Sequence, residues 1–179
     1  MIGLARGTVR LALYSEEWPR LFEDEAALLH SLMGEEAQHI EHVGSTAICG
    51  MPAKPIIDLV VIVNTLAEAS NWIPKLEALG YEYRDDTGVP DRLFFAKGPR
   101  SRRTHHLSLT EMSSKFYKEK LLFRDYLRKH RDAFDEYLRL KEQLAVDHPN
   151  DREAYTSGKR EFVEQILRLA SNAQYEKEE

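Results

Sequence analysis

Asp58 is the only charged residue in the run Ile56-Ile57-Asp58-Leu59-Val60-Val61-Ile62-Val63. A carboxylate in so apolar a segment must be solvated by a cleft, paired with a cation or bound to metal, because an unpaired buried charge is strongly destabilising. It reads either as a metal or substrate ligand, or as a structural carboxylate tied to a neighbouring turn. Fourteen residues earlier lies Gly44-Ser45-Thr46, a small-residue turn whose backbone N–H groups could hold a phosphate. From Arg92 to His106 the chain carries Arg92, Lys97, Arg100, Arg102 and Arg103 without one acidic residue. Such a run is either a solvated hairpin or a set of guanidinium groups facing a polyphosphate. Tyr155 and Lys159 stand four apart and share a helix face, as site residues or as a core tyrosine with a lysine snorkelling at its edge. Of seven histidines, His42, His105 and His106 fall on strands expected beside Asp58. Asp58 with His42 and His106 would make a nitrogen and oxygen donor set suited to zinc or manganese, whereas magnesium prefers oxygen ligands. Cys49 has no activating neighbour and reads as an inert small residue.

These groups need elements to position them. Trp18, Leu21, Phe22, Leu28, Leu29 and Leu32 recur at helical spacing and predict a helix over 16–33, with Ser15 as N-cap, Pro19 in the first turn and Gly34 at the end. A strand over 38–43 runs into the Gly-Ser turn. The β-branched run 56–63 predicts a central strand buried on both faces, with Asp58 on the side of Ile56 and Val60. Thr65 with Glu68 marks a helix start, Gly80 its end, and Pro74 a kink or split. Strands near 81–84 and 91–97 flank a turn with Asp86, Gly88 and Pro90, and 103–110 alternates His106, Ser108 and Thr110 against His105, Leu107 and Leu109. Three helices follow, near 114–130, 132–147 and 151–172, separated at His148-Pro149 and capped at Asn150 or Asp151.

The 179 residues fit a single domain, and the 42% apolar content can build its core. Within it, 1–110 reads as an α/β core and 111–179 as a helical C-terminal subdomain, since turn residues thin out after 110. A net charge of -5 removes the long-range attraction of a general nucleic-acid or membrane-surface binder. One cysteine excludes an internal disulfide and suits a reducing compartment. With no long apolar stretch for a span or signal peptide, a cytoplasmic protein is expected.

Five ordered segments carry a resemblance: Glu41 to Ala47, Pro52 to Asp58, Arg103 to Leu107, Leu122 to Leu127 and Asp151 to Lys159. Together they resemble the GrpB family, which is similar to the nucleotidyltransferase superfamily and is related to a domain fused to dephospho-coenzyme A kinase in some bacteria. The resemblance implies a short mixed β-sheet packed by helices, with a helical C-terminal part closing a cleft. It implies a Gly-Ser turn that holds a nucleotide triphosphate and carboxylates on the following strands that bind divalent metal. Gly44 and Ser45 match the turn and Asp58 matches the first carboxylate. The second position is Val60, and the later strand offers His106 and Ser108, where the family usually has another histidine in place of Ser108. One carboxylate cannot balance a metal pair facing a triphosphate, so two-metal transfer is not expected.

The expected function is therefore binding of a nucleotide or other phosphorylated small molecule, with nucleotidyl transfer to a small-molecule acceptor as its activity if it is an enzyme. Asp58 would be the catalytic residue. Gly44, Ser45, Thr46, Lys54, Arg103, Tyr155 and Lys159 would contact phosphate, and Asp58, His42 and His106 would hold a divalent metal, Mg, Mn or Zn. A catalytically inert interaction or folding-helper module with a protein partner is the alternative, and a metal-dependent hydrolase a third reading. No nucleic-acid or membrane partner is expected.

Overall fold

The computed structural model describes residues 2–85 and 88–178, so the turn residue Asp86 lies outside the described residues. Helix α1, Glu17–Met33, buries Trp18, Leu29 and Met33, with Leu21, Phe22 and Leu32 half-buried, while Leu28, expected on the same face, is exposed. Ser15 Oγ accepts the Glu17 N–H at 3.2 Å, and Gly34 ends the helix at φ 59°. Five strands follow: β1 His39–Val43, β2 Ile57–Ile62, β3 Tyr81–Arg84, β4 Leu93–Lys97 and β5 His105–Thr110. They form one mixed sheet in the order β1-β2-β5-β4-β3, with β2 and β5 parallel and every other pair antiparallel.

The sheet's two faces have different partners. Ile57, Leu59, Val61, Leu107 and Leu109 pack with Phe95 and Tyr81 against α1 and the short helices α2 Leu66–Ala69 and α3 Ile73–Ala78. Pro74 splits this region as expected, standing in the first turn of α3 where its missing N–H costs nothing. On the opposite face, Val43, Val60 and Ile62 meet Tyr117 of α4, Lys115–Lys129. Helices α5 Arg131–Asp147, α6 Arg152–Gly158 and α7 Arg160–Glu178 complete the chain. Leu127, Phe134, Tyr137, Phe162 and Ile166 share a second apolar cluster with Ile48 and Met51 from the segment after the Gly-Ser turn.

The helix expected over 151–172 is two helices, broken at Lys159. The break follows Gly158, a poor helix former, at the point of closest packing: a Cβ there would lie 2.5 Å from Leu144 Cδ2, so α6 sits against α5 closer than a side chain permits. Arg124 joins α4 to the sheet, donating to Glu41 Oε2 at 2.7 Å and to the His42 carbonyl at 2.9 Å.

Candidate functional site

Asp58 and His106 occupy facing positions in the parallel β2/β5 ladder and so project from the same side of the sheet. His106 Nδ1 lies 2.9 Å from Asp58 Oδ1. The Asp58 side chain is 40% exposed, because the pair stands at the wall of a cleft of about 1180 Å³ between the sheet and the helical part. That volume exceeds the ~300–1,000 Å³ of ordinary small-molecule sites. Gly44 is at φ 73°, and a Cβ there would be 2.6 Å from Asp58 Oδ2, so only glycine lets the turn come this close. Arg128 of α4 holds the turn from behind by donating to the Ala47 carbonyl at 2.7 Å.

Nine cationic side chains line the cleft against three carboxylates, Asp58, Glu119 and Glu164. Only Lys54 and Arg92 of the nine precede residue 111; Lys115, Lys120, Lys141, Arg152, Arg160 and Arg168 come from the helices and Lys159 from the joint between α6 and α7. Lys54 and Lys159 both lie over the Tyr155 ring, 5.1 and 4.3 Å from its centroid. Lys141 is buried beneath them, donating to the Pro52 carbonyl, with its ammonium 4.9 Å from the Tyr137 ring centroid. Burial brings Lys159 down to about 7, helped by the like charges of Lys54, Lys141 and Lys120. Burial also lowers Lys141 to about 7 and, with Arg152, Lys54 to about 8. Desolvation at the cleft wall works against Asp58 ionising, but the His106 hydrogen bond and the Lys120 and Lys54 charges outweigh it and hold the carboxyl below its usual range. Burial lowers His106 despite Asp58, leaving a neutral imidazole at pH 7.

Arg92 is held at one end of the cleft between two rings, 4.7 Å from the Phe94 centroid and 4.6 Å from that of Phe116, and donates to Ser108 Oγ at 3.2 Å. Its neighbour Asp91 caps α4, accepting from Ser114 Oγ at 2.6 Å and from the Phe116 N–H at 3.2 Å.

Gly44, Ser45, Thr46, Lys54, Asp58, Tyr155 and Lys159 all line this cleft, together with His106. The Thr46 hydroxyl is already engaged with His42 Nε2 at 2.9 Å. Arg103 is elsewhere. It is buried under the far end of the sheet, where its guanidinium donates to Glu82 and to the Gly98 carbonyl, and it does not reach the cleft. Most of the basic segment has the same fate. Lys97 pairs with Glu25 at 2.7 Å, Arg100 with Glu82 at 3.6 Å, and Arg102 donates to the Ile2 carbonyl.

The metal set expected from Asp58, His42 and His106 is not assembled. His42 pairs with Leu59 in the β1/β2 ladder and therefore points to the opposite face from Asp58, where it stacks on Phe22 at 4.8 Å. Burial lowers it to about 4. Among the described residues no group of three His, Cys, Asp or Glu side chains could hold a metal ion. The donors present do not fit the metal pair expected of an active nucleotidyltransferase: Val60 and Ser108 stand where the resemblance would put further ligands, and one Asp58 oxygen is taken by His106. Of the basic run whose guanidinium groups could face a polyphosphate, Arg92 alone lines the cleft, and sequence reasoning missed Lys120, Lys141 and Arg152. Their signal was weak because each is one cation in a charged amphipathic helix, and only the fold turns them inward.

The model of the GrpB protein family matches residues 8–169. The chain is 39% identical over 155 residues to UPF0157 protein YqkA of Bacillus subtilis, covering 87% of this chain and 45% of that one. It is 28% identical over 193 residues to a dephospho-CoA kinase of Mycolicibacterium paratuberculosis, covering 93% of this chain and 47% of the kinase. The chain thus spans about half the length of these two relatives. The crystal structure of conserved protein GrpB from Enterococcus faecalis superposes with a TM-score of 0.86 at 33% identity, covering 93% of this chain and 99% of that one. No helix among the described residues is long and apolar enough to cross a membrane.

Proposed function

The chain belongs to the GrpB family, and from that premise we propose that it binds a nucleotide or another phosphorylated small molecule between the Gly44-Ser45 turn, Asp58 and the Tyr155/Lys159 joint. One observation carries this reading: nine cations face three carboxylates across one cleft, and three of the lysines are held there at pKa values of about 7 to 8. Packing like charges together costs stability unless an anion neutralises them, and phosphate oxygens accept from several such donors at once. The similarity to part of a dephospho-CoA kinase supports a ligand of nucleotide type. Transfer of a nucleotidyl group to a small-molecule acceptor is the activity such a ligand would serve.

Calorimetric titration with ATP, dephospho-coenzyme A and inorganic pyrophosphate, each with and without magnesium, manganese or zinc, tests the reading. At least one should bind, and Lys159→Ala should weaken it about tenfold, the scale of one charge-assisted contact. Absence of binding, or binding indifferent to Lys159→Ala, would sink it. In that event the alternative, an interaction module without catalysis, is favoured by the same kinase match, and it predicts a protein partner retained in pull-downs by Asp58→Ala.

A further inference from the structure

The Asp58–His106 pair has an asymmetry that phosphate binding alone does not use. Asp58 is ionised and can only accept, so His106 must present Nδ1–H to it across the 2.9 Å contact. The proton therefore resides on Nδ1, and Nε2 carries a lone pair. No described residue donates to Nε2. It differs in this from Nε2 of His105, which is sealed in the protein without a partner; His106 Nε2 keeps contact with the cleft that its ring lines. The surrounding lysines and arginines are donors when charged, so a lone pair aimed into this cleft is one of few acceptors a ligand meets there. Ring position is fixed as well: the imidazole is buried against Phe94, with centroids 5.3 Å apart, and is tied to the sheet at both Cα and Nδ1.

We infer that Asp58 and His106 form a proton-accepting dyad, in which His106 Nε2 takes the proton from a hydroxyl group that attacks a phosphorus atom of the bound phosphorylated ligand. The inference rests on the reading of the cleft as a phosphate-ligand site. In the step, the substrate oxygen forms a bond to phosphorus as its proton passes to Nε2. The bond from phosphorus to the leaving oxygen breaks, and a nucleoside diphosphate (attack at the γ-phosphorus) or pyrophosphate (attack at the α-phosphorus) departs with the electron pair beside the lysine cluster. His106 is the catalytic residue and Asp58 the positioning residue that fixes the tautomer and stabilises the imidazolium. The cations over Tyr155 then supply the charge neutralisation that a carboxylate-bound metal pair supplies in other phosphoryl-transfer sites. The substrate class follows: a phosphoric anhydride such as a nucleoside triphosphate, together with a hydroxyl-bearing small molecule.

The test combines calorimetry with turnover on the full chain. ATP is incubated at pH 8 with a panel of polyols, sugars and hydroxyamino acids, and products are read by phosphorus NMR. Phosphorylated or nucleotidylated acceptor should form, with a rate that rises with pH through the His106 titration. His106→Asn should cut that rate by about 100-fold or more, the scale on which general bases contribute, while ATP affinity stays within about threefold. In Asp58→Asn the acidic limb of the pH profile should move to lower pH along with a lower rate, because Asp58 raises the His106 pKa; a change in folding alone would not shift that limb. If ATP binds and no acceptor is modified, or if His106→Asn turns over at the wild-type rate, the dyad is overturned and the binding reading survives. If none of ATP, dephospho-coenzyme A and pyrophosphate binds, both fall.

Discussion

Gly44 and Asp58 set each other's chemistry at atomic range. With φ at 73° and Asp58 Oδ2 2.6 Å from where a Cβ would lie, Gly44→Ala must strain the backbone and displace the carboxylate together. The expected loss is about 1–3 kcal/mol in denaturant unfolding, accompanied by a change in the His106 ring resonances. Unchanged resonances would show that the turn and the carboxylate are independent. The turn, Asp58, Tyr155 and Lys159 were legible in the sequence because each is anomalous in its own window: a glycine between strands, a charge in an apolar strand, a tyrosine and lysine sharing a face. Arg103 was misread since one basic residue in a basic run looks like another, and only Glu82 and the Gly98 carbonyl reveal that it is spent on structure. His42 was misread because strand neighbours alternate faces, and the register that sends it away from Asp58 is a property of pairing.

Elements were more legible than their joints. Strand and helix positions follow from period two and period 3.6 in side-chain burial, and those survive folding with little dependence on partners. The break between α6 and α7 is harder to read: Gly158, a poor helix former, is its one local signal, and the close approach of Leu144 of α5 at that glycine is a property of the packing. Gly158→Val should therefore push α6 off α5, lowering thermal stability and weakening anion binding together, since Lys159 stands at that joint. Full affinity in a destabilised Gly158→Val protein would separate the joint from the site. Arg124 offers the complementary case. Replacing it by alanine leaves Glu41 without its 2.7 Å partner and the His42 carbonyl without its donor, so stability should fall by about 2–4 kcal/mol, measured by chemical denaturation.

For the whole molecule, the lysine cluster links anion, proton and stability. The folded protein holds Lys141 and Lys159 at about 7 and Lys54 at about 8, whereas unfolded lysine titrates near ~10.4. Between those limits the unfolded chain binds more protons, so these groups make stability rise with pH from about 7 towards ~10 and impose their full penalty below 7. Lys141→Met should accordingly raise the melting temperature of the unliganded protein at pH 7 and lose that advantage at pH 10. A phosphorylated ligand reverses the balance by favouring the charged lysines. Its binding should take up protons at pH 8, seen as a buffer-dependent heat in calorimetry, and should weaken as the lysines deprotonate at higher pH. The modest net charge of -5 conceals this, because an acidic exterior offsets a basic interior supplied mostly by the helical part.

The parallel pairing of β2 with β5 places Asp58 beside His106 although 48 residues separate them along the chain. What brings them together is a ladder of main-chain bonds, and the intervening segment contributes to it through β4, which pairs with the other side of β5 and sets Ala96 opposite His106. Changes of length in the connection between β3 and β4, ahead of Asp91 and Arg92, would leave that ladder intact, while a one-residue slip of β5 would present His105 in its place and turn His106 into the core. The two adjacent histidines are thus unequal, and tolerance to insertion and intolerance to slippage are the opposite signatures that the same ladder writes into how this sequence can vary.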